Sequence, residues 1–269
     1  MSPDAEMHAE RFESSLWETS SLLLAREGEA VLIDPGVSAD EVAAIAARAH
    51  DLGARVTHVL ATHADWDHVC GIAAFPDAAA TMSEATATRL AARAEDATVA
   101  ERAAASGVEI AGEPRVDRTF VPGNALQVGP FLLETLALAG HTPDGTAFRC
   151  RDLDLIAVGD HLSTIEFPFV TSTAAYRGTL ATLIELLQRD PPARVVPGHG
   201  PELTAAAALA IAEADLAYLW ELHDAVSAAA TSEEARTAGL AVELPRPAAD
   251  DLAEARAANV EVALAERFG

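Results

Sequence analysis

Four apolar runs in this chain are each followed directly by a histidine or an aspartate. The runs are VTHVLAT, LLETLALAG, LIAVG and RVVPG, and the residues that follow them are His63, His141, Asp160 and His199. Short apolar runs of this length predict buried strands. Layered folds of strands and helices usually build ligand sites at the carboxyl ends of their strands. The pattern therefore predicts a sheet-based fold in which four strand ends deliver side chains to one site.

A second cluster lies directly after the first run, in a segment that we expect to be a loop. The segment THADWDHVCG, residues 62–71, holds two histidines and two aspartates within six positions, namely His63, Asp65, Asp67 and His68. A lone histidine after a strand is more often a surface or hydrogen-bonded residue than a ligand. Histidines and aspartates that recur at several strand ends favour a metal site instead.

The first half of the chain predicts strands that alternate with helices. SSLLLA and AVLID predict a hairpin that turns at Glu27-Gly28. Ser38 and Glu41 have the spacing of a capping box, which predicts a helix that Gly53 ends. The alanine-rich residues 84–105 predict helix on propensity, although their apolar face is weak.

The second half predicts mainly helices. One helix is expected to end at Asp190, before two prolines, and a longer one to open at Thr204. The last forty residues predict one or two more helices, with ELPRP as the break between them. We expect one layered domain over residues 1–203 and a C-terminal helical segment, residues 204–269, packed on the same domain.

The composition limits the classes of partner and compartment that we expect for this chain. The chain has 269 residues, half of them apolar, and 42 acidic residues against 18 basic ones, all arginine, for a net charge of −24. Such a charge repels nucleic acid and anionic lipid, so we expect a small-molecule partner. The N-terminus has no basic or apolar leader, and Cys70 and Cys150 are too few for a disulfide framework, which predicts a cytoplasmic protein. The sequence leaves the oligomeric state open, with a homodimer as one option.

The chain resembles the metallo-β-lactamase superfamily, and within it the glyoxalase II-like hydrolases. The usual signature is His-x-His-x-Asp-His, then a histidine, an aspartate and a histidine within Gly-His-Gly. The matching segments here are HADWDH, GHTPDG, VGDHL and VPGHG, preceded by AVLIDPG near the N-terminus. This resemblance covers residues 19–200 and implies an αββα sandwich, an α+β fold of two mixed sheets with helices outside.

The resemblance also implies a dinuclear metal site. Two divalent ions are expected, zinc first, with iron or manganese as alternatives. The first ion would be held by His63, Asp65 and His141, the second by Asp67, His68 and His199, and Asp160 would bridge both. Two such ions, about 4 Å apart, can lower the pKa of a shared water from about 16 towards about 7 and polarise a carbonyl.

Two side chains have catalytic roles in this interpretation. Asp67 would orient the attacking water besides binding a metal. His161, which directly follows the bridging aspartate, is a candidate proton donor, and a second-sphere or solvent-facing histidine is the alternative. Among their neighbours, Phe167 and Phe169 are candidates for an apolar substrate pocket, although phenylalanines are more often core residues.

Asp65 departs from the pattern, which usually has histidine at this position. A carboxylate adds negative charge and a harder donor, which favours iron or manganese more than imidazole does and would weaken the first ion as a Lewis acid. Flavodiiron proteins place a carboxylate at the matching position, so a diiron protein that binds or reduces dioxygen is a second hypothesis. A metal-binding protein without catalysis is a third.

Asp144 in HTPDG is a further departure from the family pattern, at a position that is often glycine. An aspartate that forms a turn explains this residue without a functional role.

The preferred hypothesis is hydrolysis of a small ester, thioester or lactone, with a phosphodiester less favoured. Glyoxalase II enzymes bind glutathione with basic residues, several from a C-terminal helical region. This chain has no lysine and offers only four arginines after position 203, namely Arg236, Arg246, Arg256 and Arg267. A strict glutathione thioesterase is therefore disfavoured.

Overall fold

The computed structural model describes residues 7–247 and 253–269, and within this part eleven strands form two sheets. The first sheet runs β1-β2-β3-β4-β5-β6, antiparallel as far as β3 and parallel thereafter. Its strands are β1 (His8–Glu13), β2 (Ser20–Arg26), β3 (Glu29–Ile33), β4 (Arg55–Leu60), β5 (Ala79–Ser83) and β6 (Arg118–Phe120).

The second sheet runs β11-β10-β9-β8-β7, with a parallel pair only between β10 and β11. Its strands are β7 (Ala125–Val128), β8 (Phe131–Ala137), β9 (Thr146–Cys150), β10 (Leu155–Ala157) and β11 (Arg194–Val196). Eight α-helices and one 3-10 helix accompany the sheets in the described part: α1 (Ala39–Asp51), α2 (Trp66–Val69), the 3-10 turn Cys70–Ala74, α3 (Glu84–Asp96), α4 (Val99–Ala105), α5 (Thr173–Arg189), α6 (Ala205–Ala228), α7 (Ser232–Ala241) and α8 (Ala253–Phe268).

The alternation of side chains along β2 shows how the layers form. Leu22 and Leu24 join Phe131 and Phe148 of the second sheet in a core between the two sheets. Leu23 points the other way, into the core beneath α1, because successive strand residues face opposite sides of a sheet. A third core packs α5, α6, α7 and α8 on the outer face of the second sheet. The predicted αββα sandwich is confirmed.

The local signals in the first half act as expected. Glu27 and Gly28 have φ values of 56° and 77° and close the β2–β3 hairpin, because a two-residue turn that matches strand twist needs positive φ. Ser38 and Glu41 form the capping box of α1. The break at ELPRP, residues 243–247, lies between α7 and α8.

Three expectations need correction. The segment after β4 was expected to be a loop, but it forms α2 and a 3-10 turn. Residues 84–105 form two helices, because Thr98 and Glu101 build a second capping box that starts α4 anew. In addition, β1, β5, β6, β7 and β9 were not predicted as strands. No helix within residues 7–247 and 253–269 is long and apolar enough to cross a membrane.

Candidate metal centre

The seven predicted ligands meet at one edge of the two sheets. The segment after β4 supplies His63, Asp65, Asp67 and His68, and the ends of β8, β10 and β11 supply His141, Asp160 and His199. Their ligand atoms fall into two groups, each within 4.8 Å: His63, Asp65, His141 and Asp160 in one, and Asp67, His68 and His199 in the other. This division is the one that the resemblance implies.

Asp160 occupies the middle of the arrangement. Its Oδ2 lies 3.4 Å from Nε2 of His63 and 3.2 Å from Nε2 of His141, both in the first group. The same oxygen is 3.4 Å from Nε2 of His199, and Oδ1 is 3.1 Å from Nε2 of His68, both in the second group. One carboxylate therefore faces both groups, which is the position that a bridging ligand needs.

A glycine makes room for this carboxylate. A Cβ atom on Gly198 would lie 2.1 Å from Oδ1 of Asp160, closer than real Cβ atoms approach other atoms. The backbone amide of Gly198 donates to the carbonyl of Gly159 over 2.7 Å, which joins the ends of β10 and β11. The GHG sequence around His199 thus has a steric cause.

All four histidines use Nδ1 to contact the protein and direct Nε2 to the centre. The Nδ1 partners are Oγ1 of Thr62 for His63 at 3.0 Å, Oδ2 of Asp34 for His68 at 2.9 Å, the carbonyl of Phe169 for His141 at 3.0 Å and the carbonyl of Trp17 for His199 at 2.9 Å. Carbonyl and carboxylate oxygens accept hydrogen bonds, so Nδ1 carries a proton, and in the neutral ring Nε2 presents a lone pair.

Asp34 organises two of these histidines at once. Its Oδ1 accepts from the amide of Thr62 over 2.8 Å, and its Oδ2 accepts from the Thr62 hydroxyl over 2.7 Å. Because that hydroxyl donates to Asp34, it is free to accept from Nδ1 of His63. Asp34 adopts a φ of 52° directly after β3 and is buried.

The donor set fits a pair of metal ions. Nε2 of His63, Nε2 of His68 and Oδ1 of Asp160 are buried and have no hydrogen-bond partner among the described residues. Buried polar atoms are nearly always satisfied, so these atoms need a ligand. Imidazole and carboxylate donors are those that zinc and other first-row divalent ions accept.

The contacts among these groups shift their pKa values. Burial favours neutral His141, but the adjacent carboxylates of Asp160 and Asp65 raise its pKa to about 10. The pKa of His199 rises to about 9 against the same effect of burial, chiefly because of Asp160. Burial opposes ionisation of Asp65, yet the adjacent imidazoles of His141 and His63 hold its pKa well below the usual range. Any cation that binds here must therefore displace protons.

His161 lies beside the centre without facing it. Its side chain is 3% exposed, its ring stacks 4.7 Å from that of Tyr176, and its Nδ1 contacts the carbonyl of Val158 over 3.2 Å. Burial, aided by the charge of His141, lowers the pKa of His161 to about 3. These contacts favour the alternative role for His161, outside the ligand set, and the role of proton donor stays a prediction.

A loop from the end of β10 to α5, residues 163–170, covers one side of the centre. With His141 and Asp160 it lines a narrow cavity, to which it contributes Glu166, Phe167 and Phe169. Glu166 is half-buried, and burial raises its pKa to about 7. The sequence analysis singled out the two phenylalanines and missed Glu166, which no motif marks.

A residue of α8 fixes this loop. Nδ2 of Asn259 donates to the carbonyl of Pro168 over 2.6 Å, and its Oδ1 accepts from the amide of Val170 over 3.0 Å. Between these two residues lies Phe169, whose carbonyl accepts from His141. Helix α8 therefore supports the centre indirectly, through the loop that holds His141, a connection that the sequence did not predict.

Cys70 is not part of the centre. It is 1% exposed, its Sγ faces the backbone carbonyls of Gly36 and Val37, and burial raises its pKa to about 12. Such a thiol is protonated and inert at neutral pH.

Comparison with known proteins gives one family and several relatives. Residues 15–199 match the metallo-beta-lactamase superfamily. A hydroxyacylglutathione hydrolase of Acidiphilium cryptum (strain JF-5) is 29% identical over 244 residues, which are 89% of this chain and 86% of that protein. "Probable metallo-hydrolase YqgX" of Bacillus subtilis (strain 168) is 34% identical over 98 residues, 36% of this chain, and the match spans only 46% of that protein.

The fold has similar solved structures. The metallo-beta-lactamase family protein TTHA1429 from Thermus thermophilus superposes with a TM-score of 0.65, covers 97% of this chain and 92% of its own, and is 20% identical. At that identity the likeness supports the fold alone.

Proposed function

Because this chain belongs to the metallo-beta-lactamase superfamily, a superfamily of hydrolases, we propose that it hydrolyses a small ester, thioester or lactone at a dinuclear metal centre. The observation that carries the proposal is the convergence of four histidine Nε2 atoms on one buried carboxylate, Asp160, while every Nδ1 is held by the protein. Such preorganised donors favour catalysis, because the site costs no rearrangement when it is used.

The ligand assignment is part of the proposal. His63, Asp65 and His141 would hold the first ion, Asp67, His68 and His199 the second, and Asp160 both. Two divalent ions bound there would lower the pKa of water and act as a Lewis acid on a carbonyl oxygen. Zinc is the first candidate and iron or manganese the alternatives.

The protein's own groups would orient the reactants. Oδ2 of Asp67 lies between Nε2 of His68 and Nε2 of His199, at 3.3 and 3.5 Å, and accepts from the Thr19 hydroxyl over 3.3 Å. It would therefore accept a hydrogen bond from the attacking water and orient it, besides binding a metal ion. No serine or cysteine nucleophile is required, in keeping with the inert Cys70.

The cavity beside the centre favours a neutral substrate. Glu166 lines it together with Phe167 and Phe169, and none of its described lining residues is lysine or arginine. Two further carboxylates line it, but Asp160 is a proposed metal ligand and Asp215 is paired with Arg246 over 2.5 Å. A carboxylate-rich substrate such as a glutathione conjugate would meet Glu166 there and no basic side chain. We therefore favour a small neutral acyl compound over hydroxyacylglutathione, the substrate class in the name of one relative.

A panel of substrates tests this proposal. The zinc-loaded protein should cleave neutral thioesters, aryl esters or lactones with a higher kcat/KM than a hydroxyacylglutathione thioester. A preference for the glutathione thioester would contradict the substrate class. Iron in the protein as isolated, with a visible absorption band that responds to dioxygen and no hydrolysis, would instead support the diiron alternative. Bound metal without either activity would support a purely metal-binding role.

A further inference from the structure

The Asp65 carboxylate is divided between the metal centre and helix α3. Its Oδ2 lies 3.4 Å from Nε2 of His63 and 3.3 Å from Nε2 of His141. Its Oδ1 accepts a hydrogen bond from Nη2 of Arg89 over 2.8 Å and another from Nη1 of Arg93. One oxygen is thus directed to the centre, and the other is committed to two guanidinium groups.

Helix α3 presents these arginines on one face. Arg89 and Arg93 are four residues apart, which places them one turn from each other on the same side of the helix. Thr86, a further turn back, is fully buried and donates from Oγ1 to the carbonyl of Asp144 over 3.2 Å. The inner side of α3 therefore carries polar groups beside the buried Leu90, which accounts for the weak apolar face of its sequence.

Asp144 belongs to the same cluster. Its side chain is 1% exposed, its Oδ2 accepts from the amide of Ala64 over 2.8 Å, and its Oδ1 lies 3.3 Å from Nη1 of Arg89. Asp65 and Asp144 stand where the resemblance leads us to expect histidine and glycine, and both contact Arg89. A turn-forming role alone does not account for a buried carboxylate that holds the backbone of the ligand segment.

The formal charges of this cluster cancel. Two aspartates and two arginines carry no net formal charge. A site with a neutral histidine at position 65, a glycine at position 144 and no arginines would carry none either. Buried or half-buried carboxylates are retained where partners compensate them. Arginine suits this task, because its planar fork donates several fixed hydrogen bonds to carboxylate oxygens.

We propose that Arg89 and Arg93 are positioning residues that neutralise Asp65 and restrict it to a single oxygen ligand, so that the first metal position keeps the charge and donor count of a histidine-ligated one. This inference rests on the proposed function, because it takes Asp65 as a metal ligand. It revises the expectation that Asp65 adds excess negative charge and weakens the first ion as a Lewis acid. With Oδ1 occupied, the first position favours zinc over ions that take more oxygen donors.

A double-mutant cycle in the full chain tests the proposal. Zn²⁺ binding is measured by competition with a chromophoric chelator for the parent, Asp65→His, Arg93→Ala and the double variant. Asp65→His leaves Arg93 unpaired beside a dication, so binding of one of the two ions should weaken by about tenfold or more. The Zn²⁺ affinity of the double variant should return to within about threefold of that of the parent. If the two substitutions acted independently, their effects on binding free energy would add. A double variant as weak as Asp65→His would overturn the inference.

Arg189 supplies a control of equal charge. It lies at the end of α5, with its side chain 78% exposed and paired to Glu185. Asp65→His with Arg189→Ala has the same formal charge as the test pair and should stay as weak as Asp65→His alone. Recovery in this control would also overturn the inference, since it would show an effect of overall charge.

Two further measurements test the proposal without the Asp65→His variant. If Asp65→His does not fold, Asp65→Asn, which keeps the shape of the side chain, is compared with and without Arg93→Ala in the same way. Arg93→Ala leaves Oδ1 of Asp65 with the hydrogen bond from Arg89 alone, so this oxygen is less restrained and the affinity for Mn²⁺ should rise relative to that for Zn²⁺; an unchanged ratio contradicts the proposal. A parent that takes up two ions but gives an additive cycle contradicts this inference alone, whereas a parent that binds no metal contradicts the proposed function as well.

Discussion

Asn259 of α8 donates a hydrogen bond to the carbonyl of Pro168 over 2.6 Å. Through this bond and its second one, to the amide of Val170, a helix near the C-terminus holds the backbone that accepts from Nδ1 of His141. The C-terminal helices therefore help to orient a proposed metal ligand that lies more than a hundred residues earlier in the chain.

Asn259→Ala should loosen this connection. Removing a buried amide leaves two backbone groups without partners, which costs about 1–3 kcal/mol of unfolding free energy. The affinity for one metal ion should also fall, because His141 loses its orientation. Thermal unfolding and Zn²⁺ titration measure the two effects. Glu266→Gln is the control, because Glu266 is on the same helix and contacts Ser172 and Thr173 rather than the loop; an equal loss of metal affinity there would contradict a specific role for Asn259.

Asp34→Asn tests the support beneath two histidines. Asparagine tolerates the positive φ at this position, but it offers one acceptor oxygen where Asp34 uses two. We expect metal affinity to fall by about 10- to 100-fold, the usual effect of losing such a second-sphere partner. Asp40→Asn in the exposed first turn of α1 should leave the affinity unchanged. A drop no larger than in this control would show that Asp34 does not orient His63 and His68.

Gly198→Ala should disrupt the position of Asp160. The new methyl group would overlap Oδ1 of the carboxylate, so both metal content and stability should fall. Gly178→Ala in α5 meets no atom within 4 Å and should instead be neutral or stabilising by up to about 1 kcal/mol, since alanine favours helix. Metal content and thermal unfolding are measured for both variants, because one places a methyl group against Asp160 and the other places it where no atom lies nearby. Full metal content in Gly198→Ala would contradict the described packing.

The pH dependence of metal uptake follows from the raised pKa values of His141 and His199, about 10 and about 9. In protein stripped of metal, protonation of these histidines stabilises the fold; this contribution is complete below their unfolded pKa of about 6.5 and is lost as pH rises through about 9 to 10. Metal binding requires the neutral forms, so apparent affinity should rise with pH over the same range, with protons released at neutral pH. Calorimetric titrations in buffers of different ionisation enthalpy count those protons. Uptake without proton release would contradict the assigned pKa shifts.

Local signals in the sequence predicted much of the fold. The Glu27-Gly28 turn, the Ser38–Glu41 capping box and the opening of α6 at Thr204 depend on neighbours in sequence, and each is present. The short strands β6 and β7 were missed because their residues are largely exposed or half-buried and lack a clear apolar pattern. β9 is buried throughout, but TAFRC is too short and mixed to stand out.

The proposed ligands could be predicted from motifs, but their supports could not. His63, His141, Asp160 and His199 follow apolar runs, a signal that a single sequence displays. The pairing of Asp65 with Arg93 joins residues 28 apart through the orientation of a helix, and that of Asn259 with Pro168 joins residues 91 apart. An arginine pair spaced by four on a helix with a weak apolar face was the available signal for the first. A single buried asparagine gave no signal for the second.

Metal analysis of the purified protein, joined to the substrate panel, tests the central claim most directly. The proposal predicts two divalent ions per chain, a lower metal content in Asp160→Ala and in His68→Ala, and hydrolysis of a neutral acyl substrate that falls with the metal content. A parent protein without bound metal after growth and purification in zinc, or unchanged metal content in both variants, would contradict the dinuclear centre on which the account depends.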